Sequence, residues 1–360
     1  MTNRLQDLLR DATRWTQAGQ LGAAAQAIQR ALGGLLVGGT TTAAPVGEVI
    51  DVQAVEVVPG PAAAALGAAP AAAASPASFT AGVHRHVGLQ RSFKLYLPPG
   101  AAGQAVPLVV MLHGCRQDPD DFAAGTGMNA LAAAQGVAVL YPAQAVDANP
   151  GRCWNWFKHN HQLSGRGEAA LIADLARAVV QAHGLDSSRV FIAGLSAGGA
   201  MAALVAAAHP RQFAAVGVHS GLAPGAAADV QAGLAAMRSG AASSTPLPVP
   251  TIVFHGDADS TVHPRNAEQV LAAAVRGTAP RVGPAAHTVQ TLGVCASGQR
   301  HTRSVHGVAG QPAQAELWLL HGAGHAWSGG QPAGSHTDAR GPDASAEMLR
   351  FFLSHRRAPR

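Results

Sequence analysis

Between Phe79 and the C-terminus, seven short apolar runs alternate with helical stretches, and few folds accept that pattern. The runs are FKLYLP, PLVVMLHG, GVAVLYP, RVFIAGLS, AAVGVHSG, TIVFHGDAD and AELWLLHGAGH. Most lack the every-second-residue polar alternation of a strand with one wet face, so they read as strands covered on both faces. The segments 121–135, 168–183, 198–208, 264–275 and 343–354 read as helices. Such alternation predicts an α/β fold with a mainly parallel, twisted sheet and helices on both faces. Right-handed crossovers then gather the functional loops at the C-terminal ends of the strands.

The first 78 residues have a different texture. Leu5, Leu8, Leu9, Ala12 and Trp15 recur at three- and four-residue steps, and AGQLG breaks the run before AAAQAIQRAL. Residues 1–36 are therefore expected to form a helical extension, 37–78 an Ala/Pro/Gly-rich linker, and 79–360 the α/β domain. A surface- or granule-docking role is an expectation for the N-terminal helices. The N-terminus MTNRLQDLLRDATRW has no apolar h-region, so the chain reads as not obviously exported. No apolar run approaches the roughly 20 residues that span a bilayer. The net charge of +5 comes from scattered arginines rather than a basic stripe, which argues against nucleic acid as a partner.

The chemistry-bearing stretch is GLSAG, Gly194–Gly198, after an apolar run and before an Ala-rich helix. A serine on a sharp strand-to-helix turn needs small residues two positions either side, and its Oγ stands at a helix N-terminus where negative charge is favoured. Such a nucleophile calls for an acid and an imidazole that follow it in the chain, each after its own strand. TIVFHGDAD offers Asp257 and Asp259; AELWLLHGAGH offers His321 and His325. PLVVMLHGC brings the Cys115 N–H beside the serine turn, with the Ala197 N–H as a second donor for an oxyanion. The set predicts a serine hydrolase needing no metal or organic cofactor. DPDDF reads as a helix N-cap rather than a cation site, and His159 and His161 lack a carboxylate or cysteine at metal-ligand spacing.

From about Val83 to Leu353 the chain resembles the PHB depolymerase family of esterases, α/β-hydrolases related to feruloyl and acetylxylan esterases. The resemblance rests on LHGCRQDPDDFAAGTGMNALA, NPGRCWNWF, VFIAGLSAGGAMAA, VFHGDADSTVHPRNA and GAGHAWSGG, in that order. It implies Ser196 as nucleophile, Asp259 as the acid and His325 as general base, with Asp257 bracing the turn. It also implies an ester substrate, a hydroxyacid polyester or its oligomers, or alternatively a feruloyl or acetyl ester of a carbohydrate. Trp154, Trp156 and Trp327 are expected to offer flat faces to that substrate. Cys115 and Cys153 fall in loops expected to meet at the site's rim and to pair. That pairing needs an oxidising compartment, which fits the export that the resemblance implies, whereas the N-terminus alone reads as cytoplasmic.

Overall fold

The computed structural model describes residues 75–162 and 165–358. The helical extension expected over 1–36, and the linker as far as residue 74, lie outside the described residues.

Ten strands form one sheet. In chain order they are β1 Ser78–His86, β2 Leu89–Leu97, β3 Leu108–Leu112, β4 Ala138–Pro142, β5 Val190–Leu195, β6 Ala215–His219, β7 Thr251–Gly256, β8 His287–Val294, β9 Arg300–Gly307 and β10 Ala315–Leu320. Their spatial order is β1-β2-β4-β3-β5-β6-β7-β10-β9-β8. The inner six, from β4 to β10, are parallel; antiparallel hairpins extend both edges. A separate two-stranded ribbon pairs β11 Trp327–Ser328 with β12 Thr337–Asp338.

The helices are α1 Pro119–Thr126, α2 Met128–Gln135, α3 Gly167–His183, α4 Ala197–Ala208, α5 Val230–Ser239, α6 Arg265–Val282 and α7 Ala344–Leu353. The expected single helix over 121–135 is two. Gly127 adopts φ 61°, a left-handed cap that ends α1 and redirects the chain into α2. Asp118 caps α1 by accepting from the Asp120 and Asp121 N–H groups, so DPDDF acts as the helix start anticipated from its sequence.

Alternate residues of the inner strands face opposite layers. Leu108, Val110 and Leu112 of β3 enter one core with α3, α4 and α6, while Val109 and Met111 enter the other with α1, α2 and α7. This double cover is why these strands carry no polar alternation. β8 is the reverse: most of its residues are exposed, Leu292 at 84%, and it contributes no apolar run. Among the described residues, no helix is long and apolar enough to cross a membrane.

Sheet order also places the site. From β3 the chain turns toward one edge to form β4, and from β5 it proceeds toward the other. The adjacent C-terminal ends of β3 and β5 therefore stand at the reversal of winding, where open α/β sheets leave a crevice. Ser196 follows β5 directly, and Cys115 stands in the loop just after β3.

Candidate active site

Ser196 sits between β5 and α4 with φ 57° and ψ −120°, a left-handed setting that non-glycine residues rarely adopt. Its N–H donates to the His219 carbonyl at 2.8 Å, which pins the turn to β6. The flanking glycines are steric requirements. A Cβ on Gly194 would lie 2.4 Å from the Gly198 carbonyl carbon, and one on Gly198 would lie 2.1 Å from the Leu112 oxygen. The backbones of β3, β5 and α4 thus touch where the serine is presented.

Asp259 follows β7 and is 5% exposed. One carboxylate oxygen accepts from the Thr261 and Val262 N–H groups, each at 2.9 Å. The other receives His325 Nδ1 at 2.6 Å and lies 3.4 Å from Nε2 of the buried His255. Burial alone would raise the Asp259 pKa; the hydrogen bond and charge of His325, the Val262 N–H and His255 together hold it below the usual carboxylate value. His325 lies between this carboxylate and a cavity that it lines together with Ser196. Asp257 is engaged elsewhere. It accepts from His321 Nδ1 at 2.8 Å and from the Gly322 N–H at 2.6 Å, and His321 Nε2 meets Thr302 Oγ1 at 2.8 Å. Asp257 and His321 therefore tie the β7 and β10 loops to each other and to β9.

The loop after β3 presents Cys115 through a chain of hydrogen bonds. His113, buried beside Trp154, donates from Nδ1 to the Gly114 carbonyl at 2.7 Å and accepts the Gln144 N–H at 3.1 Å. The Gly114 N–H donates to Gln117 Oε1 at 2.9 Å, and Gln117 Nε2 in turn donates to Asp121. Cys115 is disulfide-bonded to Cys153, and the Arg116 N–H donates to the Gly151 carbonyl at 2.8 Å. Among the described residues, neither the Cys115 nor the Ala197 N–H has a protein acceptor, and both residues border one cavity with Ser196.

At or beside the C-terminal ends of three inner strands lie buried imidazoles that sequence reasoning passed over: His113, His219 and His255. Their signal was present, a histidine at or just after an apolar run followed by Gly or Ser. Burial lowers His113 to about 4 and His219 to about 3, and lowers His255 in the same sense. An unfolded chain protonates these groups near pH 6.5, whereas the fold holds His113 neutral down to about pH 4 and His219 to about pH 3, so their contribution is complete above pH 6.5 and lost on acidification. Two such groups give a slope of roughly 3 kcal/mol per pH unit between pH 6 and 4. The urea midpoint is expected to fall steeply over that interval, before the carboxylates with lowered pKa contribute; a flat midpoint contradicts the neutral assignment.

Two cavities meet at Ser196. One, about 410 Å³, is lined by Ser196, His325, Arg116, Gln117, Thr261 and His336 among others. The second, about 290 Å³, is apolar, with Trp156, Phe157, Leu222, Leu234, Met237 and Val262 in its wall. Of the three tryptophans expected at the substrate, Trp156 borders this second cavity. The expectation is corrected for the other two. Trp154 is fully buried, its Nε1 donating to the His113 carbonyl at 3.1 Å. Trp327 is 1% exposed, stacked on His219 and donating to Ser345 Oγ at 3.0 Å. Both indoles find partners inside the domain, as buried indoles generally do, and neither ring faces either cavity.

Trp156 is held by a residue that no motif singled out. Glu168, fully buried at the start of α3, accepts from Arg91 at 3.0 Å, Gln144 at 2.6 Å, the Asn155 backbone at 2.7 Å and the Asn155 side chain at 2.8 Å. A buried carboxylate with this many donors fixes the 149–157 loop, because moving the loop would strand a charge in the core.

Residues 91–280 match the family described as Esterase PHB depolymerase. A Poly(3-hydroxyalkanoate) depolymerase C from Paucimonas lemoignei is 32% identical over 192 residues, 49% of this chain and 46% of that protein. A probable acetylxylan esterase A from Neosartorya fischeri is 25% identical over 193 residues, 48% of this chain and 51% of that one. Feruloyl esterase B of Thermothelomyces thermophilus is 30% identical over 186 residues, 46% of this chain and 63% of that one. The chain spans about half the length of the first two of these curated relatives. Among solved structures, an acetyl xylan esterase from Aspergillus awamori superposes with TM-score 0.55 at 19% identity, covering 76% of this chain and 99% of that one. An S-formylglutathione hydrolase from Agrobacterium tumefaciens gives TM-score 0.51 at 14% identity, covering 78% and 96%. At these identities the likeness speaks for the α/β-hydrolase fold alone.

Proposed function

The chain belongs to the Esterase PHB depolymerase family, and from that premise we propose that it hydrolyses carboxylic esters through an acyl-enzyme on Ser196. The observation that carries the reading is the sharing of one cavity by Ser196 and His325, with His325 bonded at 2.6 Å to the buried Asp259. In the proposed cycle, His325 Nε2 takes the Ser196 proton while Oγ attacks the ester carbonyl. Asp259 accepts from Nδ1, which leaves Nε2 as the basic nitrogen and stabilises the imidazolium that forms. The carbonyl oxygen becomes an oxyanion between the Cys115 and Ala197 N–H groups, with the N-terminus of α4 adding its dipole. His325 then returns the proton to the departing alkoxide, and water repeats the sequence to free the acid.

The proposed substrate is a poly(3-hydroxybutyrate)-type polyester or its oligomers. The apolar cavity beside Ser196 supports this, since it offers an aliphatic acyl unit contact without a buried polar group to satisfy. Turnover on 3-hydroxybutyrate oligomers, methyl ferulate and acetylated xylan, measured side by side, tests the assignment. Highest kcat/KM on the oligomers is expected. Preference for methyl ferulate would assign the Trp156–Phe157 wall to an aromatic ring, and preference for xylan would move the substrate to a carbohydrate.

A further inference from the structure

The two cavities at Ser196 differ in charge as well as polarity. His325 lines the larger one and not the apolar one. If His325 protonates the departing alkoxide, that oxygen and the group attached to it must lie on the His325 side, and the acyl chain must lie on the other. The larger cavity is then the alcohol side. Arg116 and His336 stand in its lining, and no carboxylate does. Arg116 has no ion-pair or side-chain hydrogen-bond partner among the described residues. The neighbouring charges are otherwise engaged: Arg152 pairs with Asp118 at 3.4 Å, and Asp121 accepts from Ser335 and Gln117. Arg116 and His336, like Ser196, hold positive φ, at 67° and 53°, so three non-glycine residues in a costly backbone setting border one cavity.

An unpaired guanidinium beside a nucleophile favours a negative group on the substrate, and its planar fork matches a carboxylate. We infer that Arg116, with His336, binds a carboxylate carried by the alcohol half of the substrate. The preferred substrate is then a hydroxyacid oligomer ending in a free carboxyl group, cut at its last ester bond. In a 3-hydroxyacid only two carbon atoms separate the alkoxide oxygen from the carboxylate carbon, so both fit beside His325. The inference rests on the ester-hydrolase reading and narrows it from polyesters at large to recognition of a chain end.

The test uses the full chain and two linear 3-hydroxybutyrate dimers, one with its free carboxylate and one capped as the primary carboxamide. The readout is the ratio of their kcat/KM values at low salt, so any loss common to both substrates cancels. The expected ratio is about tenfold in favour of the carboxylate, the size of one charge-assisted contact at a partly wet site. It should collapse toward one in Arg116→Gln, remain mostly intact in Arg116→Lys, and shrink as salt screens the pair. A wild-type ratio near one, or an unchanged ratio in Arg116→Gln, overturns the inference while leaving ester hydrolysis standing. If neither dimer is cut but p-nitrophenyl butyrate is, chain-end recognition falls alone; if that ester is inert too, the ester-hydrolase reading falls with it.

Discussion

Ser196→Ala is expected to lower kcat on any accepted ester by about 10⁴- to 10⁶-fold, because nucleophile, base and acid act as one unit and the oxyanion donors alone retain only a small residue of catalysis. The fold should survive the change. The turn is held by the Ser196 N–H bond to the His219 carbonyl and by close backbone packing at Gly194 and Gly198, none of which involves the hydroxyl. Alanine still has to occupy φ 57°, as serine does, so the strain is carried over rather than added. The measurement is single-turnover release of p-nitrophenol together with the urea midpoint. A variant keeping more than about a tenth of wild-type activity, with an unchanged midpoint, removes Ser196 from the chemistry.

The second large effect is a contrast between two aspartates two residues apart. Asp259→Asn is expected to cost about 10³- to 10⁴-fold in kcat, and Asp257→Asn less than about tenfold. Asp259 has three close donors: the Thr261 and Val262 amides on one oxygen and His325 Nδ1 on the other. An asparagine has a single acceptor oxygen. If that oxygen keeps the two backbone amides, its NH₂ faces the Nδ1–H of His325, two donors in opposition. The imidazole then relieves the clash by carrying its proton on Nε2, where it can no longer act as a base. Asp257 meets His321 and Gly322 where the β7 and β10 loops join, and neither borders the cavity that holds Ser196. An asparagine there can still accept the Gly322 N–H, so the loss is a loosened loop. Equal effects, or the opposite order, would overturn the assignment of Asp259.

How much of this was legible in the sequence depended on contrast against the polar background. The inner strands showed because both of their faces are buried and their runs are apolar throughout, as in VFIAGL of β5 and LVVML of β3. The β8–β9 hairpin gave no such sign, since HTVQTLGV is mostly exposed and exists as a strand through its ladder with β9. Helix α5 was missed for a related reason: it lies in an Ala- and Gly-rich stretch with few buried residues, Gly233 and Ala236 among them. The loops that carry the proposed triad were readable because motif and fold constrain each other. GLSAG needs a strand before it and a helix after it, and both were visible. Distance along the chain is what hid the rest. Nothing local to Glu168 shows that Arg91, Gln144 and Asn155 will converge on it. Nor does a tryptophan beside a catalytic motif reveal whether its ring will turn toward solvent or inward. Trp154 and Trp327 turn inward.

That inward turn has an optical consequence. All four described tryptophans, Trp154, Trp156, Trp318 and Trp327, are no more than 7% exposed. Their emission should be that of indoles in apolar surroundings and should shift to the red only when the domain opens, which makes the fluorescence of these four a gauge of folding. Among them Trp156 alone borders the cavity assigned to the acyl chain, so quenching of these four indoles by a bound aliphatic ligand at constant fold is expected to trace to that single ring.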